Sequence, residues 1–191
     1  GSACGKNMSK ETIGTLGHEK EHNYALRSDM TKDEFVKELC EGLPKPLDYF
    51  GFNVAMNRNG YKSIDEVIAN GQNMLNVEQF ITASEDAEAL ILDVRHQSEF
   101  IRGFIPGSIF IGLAGTFAPW VGALLVDVKM PLLIVADLGT EVEAITRLSR
   151  VGFDNVIGIL DGGFESWKNS GRNVDTINAV DASTLAQKMN N

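Results

Sequence analysis

The sequence predicts an α/β domain built on a parallel sheet, preceded by a mainly helical segment. Three observations carry that prediction. After residue 72, short apolar runs at 89–94, 108–111, 131–136 and 156–160 alternate with amphipathic stretches at 97–102, 116–125, 141–151 and 164–169. Near-continuous apolar runs suit strands covered on both faces, and strand–helix alternation implies right-handed crossovers in a doubly wound sheet. Before residue 72, polar helical segments alternate with Gly and Pro breaks instead.

The helical segment is read from its caps. Thr31-Lys32-Asp33-Glu34 fits a capping box, in which hydroxyl and carboxylate satisfy each other's orphan amides. It opens a helix with Phe35, Leu39 and Leu43 on one face, stopped by Gly42 and Pro44. Ser63-Ile64-Asp65-Glu66 is a second box, opening a short helix that ends at Asn70-Gly71. Residues 47–56, rich in aromatics (Tyr49, Phe50, Phe52), read as a helix between them, and 9–26 as a helix weakened by Gly14 and Gly17. This region has little to build a core from, so its aromatics are expected to pack on the following domain or on something outside this chain. In the α/β part, 141–151 is the clearest helix, with Val142, Ile145 and Leu148 at helical spacing. Residues 75–80 and 180–185 share a pattern of apolar residue, cap former and helix start, which reads either as a second domain beginning or as a lone terminal helix.

Composition bounds the function. A chain of 191 residues with 43% hydrophobic and 23% charged residues can fold around a full core without disulfide or metal staples. The net charge of −9 and the lack of a basic, aromatic-interleaved stripe argue against nucleic acid. No apolar run reaches the roughly 18 residues of a membrane span. Residues 1–8 lack the apolar centre of a signal peptide, and Cys4 and Cys40 are the only cysteines, so a reducing cytoplasm is expected.

Two stretches carry a family resemblance. Asp93-Val94-Arg95 followed by Glu99-Phe100 and Gly103-Phe104-Ile105-Pro106-Gly107-Ser108 resembles the first rhodanese signature, with Phe104 in place of the usual His and Ser108 in place of Ala. Gly152-Phe153-Asp154-Asn155-Val156, then Leu160-Asp161-Gly162-Gly163-Phe164 and Trp167, is similar to the strand–loop–helix that closes the rhodanese fold. The resemblance covers residues 73–171. Its structural signature is Asp93, Arg95, Glu99, Gly107, Asp161, Gly162 and Gly163. Physically, Arg95 and Glu99 are four apart and suit an ion pair, Pro106-Gly107 forces a turn, and Asp161-Gly162-Gly163 lets the chain reverse into a helix. A Gly-Gly turn before a helix can also cradle phosphate, but the fuller dinucleotide spacing is missing. The N-terminal residues Gly1-Ser2-Ala3-Cys4-Gly5-Lys6, Thr15-Leu16-Gly17, Asn23-Tyr24-Ala25-Leu26 and Asp33-Glu34-Phe35-Val36 resemble the linker of proteins that fuse a metallo-β-lactamase-fold domain to rhodanese domains, often persulfide dioxygenases and sulfurtransferases. The resemblance implies residues 1–72 as the end of such a metallo-domain and its helical linker, 73–171 as a rhodanese-like domain, and 172–191 as a linker into a second one.

Rhodanese chemistry needs a thiolate at the end of the fourth strand, held by loop amides and usually an Arg or Lys. The family pattern is Cys-x-x-Gly-x-Arg. Anchoring on Gly139 puts Ala136 at the cysteine position and Glu141 at that of the Arg; a slip of one puts Asp137 there, and no register supplies a thiol. Asp137, Glu141 and Glu143 bring negative charge where an anion should sit, each repelling it by about 3–4 kcal/mol before screening. Mg²⁺ or Ca²⁺ could use such oxygens, although carboxylates at a helix start are ordinarily dipole partners.

The rival motif is His18-Glu19-Lys20-Glu21-His22, which spells the zinc-peptidase pattern and would make the chain an enzyme in its own right. Lys20, Glu21 and Asn23 give it the surroundings of a solvated helix face rather than a core. Cys40, on the apolar side of its helix, is expected to be a buried hydrophobe. Cys4 sits among small residues, and by the resemblance its match lies near the parent's metal, where it could serve as a redox thiol. Phe117, Pro119 and Trp120 form an apolar cluster that is either core or a docking surface. The expected function is therefore a non-catalytic rhodanese-like module that orients or oligomerises catalytic domains of a sulfur-handling parent. No cofactor is expected in these residues, with iron or zinc in the parent's preceding domain. Expected partners are neighbouring domains of the same chain or a second copy, not nucleic acid or membrane.

Overall fold

The structure, a computed structural model, describes residues 12–43 and 49–189. The chain divides into two compact units, Gly1–Pro46 and Leu47–Asn191.

The first unit holds helix α1 (Leu16–His22), a 3₁₀ turn (Tyr24–Leu26) and helix α2 (Lys32–Cys40). Thr15 caps α1 by accepting from the His18 amide, and the Asn23 side chain caps the 3₁₀ turn at 3.0 Å from the Ala25 amide. The expected capping box opens α2. The Glu34 carboxylate accepts from the Thr31 amide at 2.8 Å, and Thr31 Oγ1 accepts from the Glu34 amide at 3.3 Å. Cys40 departs from expectation: it is exposed, and none of the residues of α2 is buried. Cys4 lies outside the described residues.

The second unit begins with helices α3 (Tyr49–Asn59) and α4 (Ile64–Gly71), then runs β1 (Met74–Leu75), α5 (Val77–Asp86), β2 (Leu90–Asp93), α6 (Gln97–Phe100), β3 (Ile109–Phe110), α7 (Phe117–Leu124), β4 (Leu132–Val135), α8 (Glu141–Ser149), β5 (Val156–Leu160), α9 (Gly163–Asn169) and α10 (Ala182–Met189). All strands pair in parallel in the order β1-β5-β4-β2-β3. Successive side chains of the central strand β4 point to opposite faces, so Leu132 and Ile134 enter one core and Leu133 and Val135 the other. The first core gathers Val67, Phe117, Val121, Ile145 and Leu148 from α4, α7 and α8; the second gathers Phe80, Ile105, Phe164 and Trp167. This is the α/β, doubly wound arrangement the apolar runs predicted.

The aromatics of α3 do pack on the sheet domain. Tyr49 and Phe52 lie against the first core, while Phe50 points out. Tyr49 is seated on Gly122 of α7, where an added Cβ would come within 2.0 Å of its ring. Strand β1 escaped the sequence reading, being two residues long and too short to show a pattern. The helix start read at 75–80 is there: α5 opens with an Asn76–Gln79 capping box, both arms at 3.0 Å. The similar run at 180–185 produces only a helix start: Asp181 caps α10 by accepting from the Thr184 amide at 2.7 Å, with no strand at 176–180. Among the described residues no helix is long and apolar enough to cross a membrane.

Candidate functional site

The carboxyl ends of β2, β4 and β5 lie side by side, where open α/β sheets bind ligands. β2 ends at Asp93, fully buried, and the next turn carries Arg95, 6% exposed. Sequence spacing pairs Arg95 with Glu99, but the structure does not. The Arg95 guanidinium turns inward, donating from Nε to both Asp93 oxygens at 3.0 and 3.1 Å and from Nη2 to Asp93 Oδ2 at 2.6 Å and to the Gly103 carbonyl at 2.8 Å. It also lies 4.1 Å above the Phe164 ring. Glu99 stays on the solvent face of α6 and meets Arg102 at 3.0 Å. The physical reason is the buried Asp93: an unpaired carboxylate there is far more costly than an exposed one. Burial pushes the Asp93 carboxyl above its ordinary range, and the bonds from Arg95 oppose that shift.

β4 ends at Val135, and Ala136 follows it, 3% exposed. Beyond it the chain turns tightly. The Asp137 carbonyl accepts from the Thr140 amide at 3.0 Å and from its hydroxyl at 2.7 Å, with Gly139 at φ +89°. Asp137 and Leu138 are exposed, and α8 starts at Glu141. Of the three acidic groups expected to crowd this loop, Glu143 is drawn off to Arg147 at 3.2 Å, which leaves Asp137 and Glu141 beside the turn. The negative charge of Asp137 reaches Asp93 and adds to its upward shift.

The turn after β5 presses on this strand end. Gly162 and Gly163 adopt φ +72° and +60°, and a Cβ on Gly163 would lie 2.9 Å from the Ala136 carbonyl oxygen. Asp161 precedes them, its amide tied to the Leu75 carbonyl at 2.8 Å. Gly107, at φ +80°, makes the turn into β3. The Gly162-Gly163 turn thus closes on the end of β4 at Ala136, the position at which the sequence leads one to expect the family's thiol and supplies a methyl group.

Beside this edge lies a groove of about 470 Å³ lined by Arg95, His96, Phe110, Thr116, Trp120 and Leu124 among others. Arg147 braces its far wall, donating to the Leu113 carbonyl and, at 3.3 Å, to that of Gly115. The apolar cluster of the sequence divides here: Phe117 is core, whereas Pro119 and Trp120 are exposed. Trp120 (56% exposed), Leu124 and Val126 project from a stretch, 103–126, that carries no charged residue.

In the first unit, α1 brings the two histidines of the competing motif onto one face. Their rings stack at 4.3 Å between centroids and 14° between planes, and both are exposed. Glu19 accepts from Asn23 Nδ2 at 2.9 Å, and α1 buries none of its residues, so the helix has none of the core setting a zinc-peptidase helix needs. Among the described residues no cluster of three or more His, Cys, Asp or Glu is placed to hold a metal ion.

The rhodanese-like family model matches residues 76–170, from the cap of α5 to the end of α9. These residues form a rhodanese-like domain. Solved structures are similar to the chain in part. A rhodanese-like domain from an Anabaena protein is 21% identical, with a TM-score of 0.47, covering 58% of this chain and 89% of that one. A protein from Staphylococcus aureus titled metallo-beta-lactamase is 22% identical over 76% of this chain, with a TM-score of 0.54, and this chain spans 39% of its length. A polysulfide-sulfur transferase from Wolinella succinogenes is 18% identical, with a TM-score of 0.47, covering 66% of this chain and 90% of that one. None of the curated proteins matches the chain. The rhodanese-like domain is preceded by α3, α4 and β1, which belong to the same compact unit but lie outside the matched residues.

Proposed function

We propose that this chain is a rhodanese-like module without sulfurtransferase chemistry of its own, which orients or oligomerises the catalytic domains of a cytoplasmic, sulfur-handling parent of the metallo-β-lactamase/rhodanese type. The observation that carries the reading is Ala136. A methyl group stands at the strand end where the family's nucleophile belongs, and Asp137 and Glu141 stand where a persulfide anion would need positive charge. The uncharged, projecting surface of Trp120, Leu124 and Val126 supports the second half of the reading, because contiguous exposed apolar side chains mark interaction sites. The fold likeness to a longer chain titled metallo-beta-lactamase fits a parent with further domains. In that reading, iron or zinc would be held by the preceding domain, and the partners are neighbouring domains or a second copy.

A thiosulfate:cyanide sulfurtransferase assay tests the proposal. The unaltered chain is expected to be inactive at any concentration. Substantial turnover by it, retained in Cys4→Ser and Cys40→Ser variants, would overturn the reading. Ala136→Cys is expected to gain a thiol that alkylates slowly and turns over poorly until Glu141→Arg supplies a positive partner.

A further inference from the structure

The histidine pair on α1 remains unused by the reading above, and its geometry is specific. His18 and His22 are one helical turn apart, both exposed, with rings stacked 4.3 Å apart. His22 Nδ1 lies 3.1 Å from the His18 carbonyl oxygen. A carbonyl can only accept, so Nδ1 carries the proton and donates. The lone pair of His22 is therefore on Nε2. Histidines that bind metals characteristically donate their other ring nitrogen to a backbone carbonyl or a carboxylate, which fixes tautomer and ring orientation. His22 already has that support before any ion arrives; stacked rings hold their lone pairs side by side rather than on one point, so the exposed His18 ring turns out of the stack to share the ion.

From this we propose that His18 and His22 form a bidentate surface site for a borderline divalent transition metal such as Ni²⁺ or Zn²⁺, ligated through the two imidazoles with water completing the shell. Neutral imidazole suits these ions, whereas Mg²⁺ and Ca²⁺ require oxygen ligands. The inference is independent of the sulfurtransferase question. It assigns no catalysis: Glu19 is engaged with Asn23, and the helix offers no apolar pocket for a substrate. Its physical consequence is local. A helix of seven residues is too short to be stable by itself, and an ion bridging one turn clamps it, so metal occupancy controls the order of α1 within its own unit.

The test is a titration of the tag-free full-length chain with Ni²⁺, followed by amide NMR and calorimetry, with Mg²⁺ as the negative probe. The expected result is one equivalent of Ni²⁺, paramagnetic broadening centred on residues 16–26, and a rise in helical circular dichroism. His18→Gln and His22→Gln should each lower the affinity by roughly 10²-fold, because the second imidazole binds intramolecularly. An unchanged spectrum of the rhodanese-like domain shows that these variants are folded. His96→Gln and Cys4→Ser should leave the affinity as it was. Broadening centred on His96 or on the first eleven residues, or an affinity that survives His18→Gln, overturns the proposal.

Discussion

Arg95→Ala removes the one cation that compensates a fully buried carboxylate. Three interactions go at once: the fork onto Asp93, the bond to the Gly103 carbonyl, and the stacking on Phe164. Breaking a buried pair from one side typically destabilises by about 3–5 kcal/mol, because the remaining charge stays buried. Against a total stability of roughly 5–15 kcal/mol, that approaches the unfolding threshold, and for a domain of this size it lowers Tm by roughly 10 °C or more. Urea unfolding followed by circular dichroism measures the loss. The double variant Arg95→Ala/Asp93→Asn separates charge from packing. With the stranded charge removed, about half or more of the loss should return, whereas independent sites would add. The pH dependence has a definite sign. Burial already raises the Asp93 carboxyl, and without the Arg95 side chain only the amide of residue 95, 3.1 Å from Asp93 Oδ1, still opposes that rise. A raised carboxyl destabilises the fold above its folded-state pKa, and protonation relieves the effect, so the loss in Arg95→Ala should be smaller at pH 4 than at pH 7. A loss below about 1 kcal/mol, or one untouched by Asp93→Asn, would refute the reading that Arg95 compensates the buried Asp93 carboxylate.

Three further outcomes follow from the geometry. Gly122→Ala drives a methyl into the Tyr49 ring and should destabilise the second unit by about 1–3 kcal/mol; thermal melts should show most of that loss disappearing in a Tyr49→Ala background. Gly163→Ala combines a left-handed backbone with a 2.9 Å approach to the Ala136 carbonyl and should cost about 1–3 kcal/mol, read by urea unfolding. Bonds from the Thr184 amide and the Ser183 hydroxyl hold Asp181 down to about 2. Its capping of α10 is therefore complete above the ordinary carboxyl pKa and is lost as pH falls through about 2. Backbone chemical shifts of residues 182–189 should be flat from pH 7 to 4 and change below that, and Asp181→Ala should abolish the transition.

The alternation of apolar runs fixed the sheet strands and the helices between them because each is a local pattern, and β5 runs over the predicted residues 156–160. What sequence could not supply were partners chosen by burial. Four-residue spacing nominates Glu99 for Arg95, yet both groups would have to sit on a solvated helix face, and the energy lies in neutralising Asp93. Helical periodicity likewise places Cys40 on an apolar side without saying whether anything covers that side. The seat of Tyr49 on Gly122 joins residues 73 positions apart, which no local window can see. At the candidate site, anchoring on Gly139 nominates Ala136 from sequence alone. The closure of the Gly162-Gly163 turn onto Ala136 was legible only as a need for glycine, not as a contact.

Tyr49 lodged on α7 and Val67 in the first core also bear on how the domain can be cut out for study. A clone trimmed to the family boundary at residue 76 would discard α3, α4 and β1, baring the apolar hollow they plug and the β5 edge that β1 protects. Such a truncation should be sticky and poorly expressed, whereas one that starts at residue 47 keeps the plug in place.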